Sequence, residues 1–113
     1  MATTTLDKTA RIRELNDHLR IHFGGGKIML SASVSELGHE IKAAALMELR
    51  KFSDFTDDND PHREHDFGSF ELDGETVYFK VDCYNKTLDG GSENPADPDQ
   101  TTRVLTIMLA EEY

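Results

Sequence analysis

Between residues 6 and 23, apolar side chains recur at Ile12, Leu15, Leu19 and Phe23, with Arg11, Arg13, Glu14 and Asp17 between them. This is the 3.6-residue period of an amphipathic helix that turns one face to a core. Thr5 stands where a capping residue would. Gly24-Gly25-Gly26 should end the helix, because glycine readily takes the left-handed conformation that closes helices. Lys27 to Ser31 then reads as a short buried strand. Ser33-Val-Ser-Glu36 has the form of a capping box, in which serine and glutamate side chains satisfy backbone donors left free in a first turn. It predicts a second helix ending near Phe52, with Leu37, Ile41, Ala45, Leu49 and Phe52 as its buried stripe. Ala43, Ala44 and Ala45 would permit a neighbour to approach closely.

Strict alternation follows. Residues 67 to 72 and 75 to 83 flank Asp73-Gly74, the dipeptide preferred in two-residue hairpin turns. Such a turn sets the register. Phe70 should oppose Val77, Gly68 should oppose Phe79 and Asp66 should oppose Val81 on a core side that also holds Leu72 and Cys83. The polar side pairs Glu71 with Thr76, Ser69 with Tyr78, Phe67 with Lys80 and His65 with Asp82. Residues 85 to 100, rich in Asn, Asp, Gly and Pro, read as a loop. Asp97-Pro98-Asp99-Gln100 resembles a helix start, with a cap, a proline at the first position and acidic groups near the positive dipole end. A helix bearing Val104, Leu105, Met108, Leu109 and Tyr113 on its buried face is therefore favoured for the C-terminal segment. A strand is the alternative, since periodicity does not separate the two in a short apolar run. The expected fold is a single α+β domain over residues 1–113, with an antiparallel hairpin in a three-stranded sheet and two or three helices packed on one face.

Charge divides this chain unevenly. Residues 1 to 52 carry eight Lys/Arg against six Asp/Glu, a balance of +2, and residues 53 to 113 carry four against sixteen, a balance of −12. A field of that sign repels phosphate backbones, so nucleic-acid binding through a basic patch is disfavoured. It suits a basic protein partner, a divalent cation or mimicry of nucleic acid, or serves only solubility. The lone Cys83 has no intramolecular disulfide partner, and no run approaches the roughly 20 apolar residues of a membrane span. With no signal-peptide pattern at the start, a cytoplasmic setting is expected.

The acidic half opens with the densest cluster of reactive side chains. Residues 52 to 71 place seven acidic groups and two histidines among aromatic residues. Two constellations can be drawn from it. On the polar hairpin face, His65 opposite Asp82, with Tyr78 and Lys80 alternating alongside, would form an acid/base set, a carboxylate-oriented histidine being a common catalytic device. A plain solvated sheet face is the simpler reading. In the preceding loop, His62, Glu64 and His65 have the ligand chemistry for a divalent metal, but His-Arg-Glu-His is one residue short of the helical zinc motif and Asp58-Asn-Asp60 lacks the glycine and terminal glutamate of an EF-hand loop. The simpler reading is a turn set by Asp60-Pro61, with the carboxylates accepting loop backbone donors. Asp57, Asp58, Asp60, Glu64 and Asp66 are the groups that would contact a basic partner. Gly24 to Lys27 is not a phosphate loop, because it follows a helix and lacks the Ser/Thr after lysine. Cys83 reads as a small core hydrophobe.

Asp54-Phe-Thr-Asp-Asp-Asn-Asp-Pro61, Glu64-His-Asp-Phe-Gly68 and the segment from Thr102 to Tyr113 resemble the signature of a bacterial family known only as a domain of unknown function, over the chain from about Ile12 onward. The resemblance implies short cytoplasmic proteins of alphaproteobacteria and their plasmids. It carries over no catalytic residue. A plasmid setting suggests counter-defence. The leading expectation, drawn from the −12 half, is an acidic, non-enzymatic interaction protein that binds or inhibits a basic protein partner, a nucleic-acid-handling defence enzyme being one candidate. The alternative is a metal-assisted hydrolase built on the His/Glu/Asp cluster. Oligomeric state is not legible in the sequence.

Overall fold

A computed structural model describes residues 5–113. The first amphipathic segment is helix α1, Thr5–His22; the cap expected at Thr5 concerns a side chain outside the described part. Leu19 is fully buried, and so are two polar residues of the same face, Asn16 and Arg20. Phe23, not a glycine, ends the helix. It takes φ +60° while its N–H donates to the Leu19 carbonyl at 2.9 Å. The glycines that follow permit close approach: a β-carbon on Gly26 would lie 2.5 Å from the Arg103 carbonyl oxygen.

Strand β1, Lys27–Leu30, lies at the sheet edge, with Ile28 and Leu30 half-buried but Lys27 and Met29 exposed. Capping then differs from the expected box. Ser31 caps a single turn, α2 (Ala32–Ser35), its Oγ accepting from the Val34 N–H at 3.3 Å, and Gly38 precedes α3 (His39–Lys51) with no side-chain cap. Glu36 instead closes the short turn through its own N–H to Ala32 O. A glycine between two apolar stretches divides one predicted helix into two, because glycine costs about 1 kcal/mol in a helix interior.

The hairpin forms as its turn chemistry requires. β2 (Phe67–Leu72) and β3 (Glu75–Tyr84) pair Phe70 with Val77, Gly68 with Phe79 and Phe67 with Lys80. Asp73 and Gly74 both take positive φ, the pattern that matches the twist of the flanking strands. The C-terminal segment, by contrast, is strand β4 (Thr102–Leu109) rather than helix. Asp97 does cap a turn, accepting from the Asp99 N–H at 2.9 Å, but the turn is only Pro98–Gln100, after which the chain is extended. Two neighbours decide this. β4 lies between β1, which it meets in parallel, and β3, which it meets antiparallel, so the sheet has four strands in the order β1-β4-β3-β2 rather than three. A central strand satisfies its backbone groups on both edges.

One face of the sheet is the core. Val77, Phe79 and Val81 of β3 and Leu105, Ile107 and Leu109 of β4 form one buried cluster with Leu19, Val34 and Leu49 from the helices. Each such side chain contributes about 1.5–3 kcal/mol when removed from water. By alternation the opposite face carries Tyr78, Lys80 and Asp82 of β3 beside Met108, Thr106 and Val104 of β4.

Candidate functional site

Residues 53 to 66 cross from α3 to the hairpin, and their aromatic residues anchor them. Phe52 meets Phe55 edge-on at 4.9 Å and Phe79 at 5.2 Å, so the loop's first turn continues the core. Thr56 and Asn59 bond reciprocally, each backbone N–H to the other's side-chain oxygen. Asp60, only 2% exposed, uses one carboxylate oxygen to accept from the Glu64 and His65 N–H groups at 3.0 and 3.1 Å. Of the acidic residues assigned to partner contact, Asp60 thus lies inside and orders the loop backbone. Asp57 and Asp58 are exposed, and Glu64 and Asp66 are half-buried.

Helix α1 holds the far end of the loop through residues three and four apart. Arg13 donates to the Arg63 carbonyl at 3.0 Å, Asn16 Nδ2 donates to the Glu64 carbonyl at 2.9 Å, and Asp17 accepts from His65 Nδ1 at 2.9 Å. Arg20, one turn on, binds Asp17 at 3.1 Å and reaches the end of α3 through the Leu49 and Phe52 carbonyls. Those carbonyls are among the acceptors a helix leaves unpaired at its C-terminus. Arg63 and His65 both adopt left-handed backbone, at φ 59° and 54°. For non-glycine residues this costs on the order of 1–3 kcal/mol and persists only where the surroundings over-determine it. The polar stripe on α1 does so. Asn16 and Arg20 were hidden in the sequence because an apolar-period reading skips polar residues; the detectable signal is that they lie four apart, with Asn16 three residues before Leu19.

His65 does not face Asp82. The ladder reaches only as far as a bond from the Val81 N–H to the Asp66 carbonyl, and the left-handed turn at His65 then swings its ring inward. The ring lies flat on Phe55, with centroids 3.8 Å apart and planes 2° from parallel. Asp82 pairs with Lys80 at 3.1 Å and lies opposite Val104. The expected His65–Asp82 pair is therefore replaced by His65–Asp17. The metal candidates separate as well: His65 turns to α1 while His62 stays exposed, and among the described residues no three His, Cys, Asp or Glu side chains converge to hold a metal ion.

What the fold does assemble is a cleft of about 370 Å³ between the loop and the polar sheet face, lined by Asp58, His62, Asp66, Lys80, Asp82 and Tyr113. Its wall is aromatic. Tyr113 meets Phe67 at 5.5 Å and Tyr78 at 5.3 Å, and these two meet at 5.3 Å, all edge-on. Burial pushes the Asp66 carboxyl above its ordinary range, with the charges of Asp60 and Asp82 adding to the effect. Burial raises Glu64 too, with Asp66 next in importance. Among the described residues no cationic side chain lies within salt-bridge distance of Asp66. Cys83, half-buried on the core side, has its thiol pushed up by burial, which removes nucleophilic character.

Among the described residues no helix is long and apolar enough to cross a membrane. No curated protein and no solved structure gives a significant match to the chain. A family model described as "Protein of unknown function (DUF3768)" matches residues 30–112, from the last residue of β1 through the acidic loop, the hairpin and β4 but without α1. The chain belongs to that family.

Proposed function

We propose that this protein is an acidic, non-enzymatic interaction protein that binds the basic surface of a protein partner and thereby inhibits it. The observation that carries this reading is the polar sheet face, where an aromatic trio is bordered by Asp58, Asp66 and Asp82. Aromatic anchors inside a charged rim are how interfaces divide affinity from steering. The excess of −12 over residues 53–113 draws a basic partner from a distance and opposes association with nucleic acid. A nucleic-acid-handling protein is the partner class that fits, since its basic groove is what such a surface would occupy. In this reading the protein acts in the cytoplasm.

Capture of host proteins on immobilised wild-type chain, compared with an Asp57→Lys/Asp58→Lys variant, tests the proposal. Both positions are exposed, so the fold should survive the change. Asp60 is unsuitable for reversal because its carboxylate supports the loop. The expected result is a basic protein captured by wild type, released by salt and lost in the variant. Capture that the double reversal leaves unchanged would overturn the reading. The metal-assisted hydrolase draws support from His62, Lys80 and Asp82 sharing one cleft, but has no converging ligand set among the described residues.

A further inference from the structure

We infer that the cleft beside Tyr113 recognises an arginine side chain of the partner, its guanidinium lying against the tyrosine ring and donating to Asp66. This rests on the reading that the partner is a basic protein, and adds which cation the site selects. Three observations support it. Tyr113 is 71% exposed, yet its ring is braced edge-on by Phe67 and Tyr78, so it offers a flat apolar surface that is already positioned. Asp66 is half-buried and lines the same cleft as Tyr113, with no cation within salt-bridge distance among the described residues. Asp82, on the same cleft, is engaged by Lys80, which leaves Asp66 and Asp58 as the uncompensated charges.

Charge complementarity alone would accept lysine equally. The geometry does not. A guanidinium is planar and weakly hydrated, so it can stack on an aromatic face while its edge donates two bonds to a carboxylate. An ammonium is a strongly hydrated point charge that gains less from a ring at an exposed site.

The test uses two fluorescently labelled nonapeptides of equal charge, one with three arginines and one with three lysines, titrated by polarisation against the full chain. Wild type should bind the arginine peptide about fivefold more tightly than the lysine peptide. Tyr113→Ala should remove that difference while leaving lysine-peptide binding in place, and Tyr113→Phe should preserve it. Asp66→Asn should weaken the arginine peptide most. Equal affinity for the two peptides, or an arginine preference unaffected by Tyr113→Ala, would overturn the inference while leaving the broader interaction role standing. No binding of either peptide, together with no basic protein captured, would remove both. Self-association abolished by Tyr113→Ala, with no peptide bound, would assign this face to a second copy of the chain and likewise overturn the inference.

Discussion

Asn16 and Arg103, near opposite ends of the chain, meet inside the protein: Arg103 Nε donates to Asn16 Oδ1 at 2.6 Å. Arg103 is 2% exposed and also donates to the Pro95 carbonyl, so it ties β4 to the 85–97 loop as well as to α1. Burial holds its pKa below the ordinary value, and among the described residues no carboxylate is hydrogen-bonded to it. The opposite end of the Asn16 amide holds Glu64 O, which connects the acidic loop to the same node.

Replacing Asn16 with leucine should destabilise the fold by about 1–3 kcal/mol, because a buried guanidinium and a loop carbonyl both lose their partner. Urea unfolding would measure this. Amide exchange in residues 63–66 should also accelerate in the variant, since Asn16 bonds directly to that stretch.

His65→Ala should lower stability by about 1–3 kcal/mol, through loss of the Asp17 hydrogen bond and the flat contact with Phe55. The left-handed backbone at that position adds to the cost, alanine being a poor occupant of it. Thermal unfolding beside an Asp82→Asn control separates this role from acid/base work. Asp82→Asn should leave the midpoint near wild type, since its exposed pair with Lys80 contributes little.

Two glycines should differ in tolerance. At Gly68 an added β-carbon would lie 2.5 Å from the Phe79 ring and 2.7 Å from Phe52, whereas at Gly26 it would lie 2.5 Å from a backbone carbonyl. Rings can shift within the core at a cost of about 1–3 kcal/mol. Backbone cannot yield without disturbing the β1–β4 ladder. Gly26→Ala should therefore lower the unfolding midpoint more than Gly68→Ala.

Asp66 and Glu64 give the pH dependence a definite sign. Their folded pKa values are raised, mainly by burial, so the native state holds these protons to higher pH than the unfolded chain does. Their contribution to stability is therefore most favourable below the unfolded pKa values and is lost as pH rises through the folded ones. Asp66→Asn should raise the unfolding midpoint at neutral pH, and the gain should vanish as pH falls below the ordinary carboxylate range. The same substitution should weaken binding of a basic partner, the trade expected where a functional group is held at a cost to stability.

Features that depend on a few neighbouring residues were readable directly from the chain. Asp73-Gly74 set the hairpin and its register, the apolar period set α1, and Asp97 capped its turn, because turn and cap energetics are local. The acidic loop was legible as a dense cluster whose carboxylates would accept loop backbone donors, as Asp60 does, but not as a segment that α1 would hold. The remaining features depend on contacts between distant segments. Residues 102 to 109 became a strand because β1 and β3 supply hydrogen-bond partners on both sides, which no local period records. His65 turned from Asp82 to Asp17 because α1 holds residues 63 to 65, with Arg63 and His65 in left-handed backbone that hairpin alternation cannot anticipate. Tyr113 reached the cleft for the same reason, carried past the end of β4 to the rings of Phe67 and Tyr78. In each case the deciding contact joins segments far apart in the chain, and its free energy is realised only once the sheet is assembled.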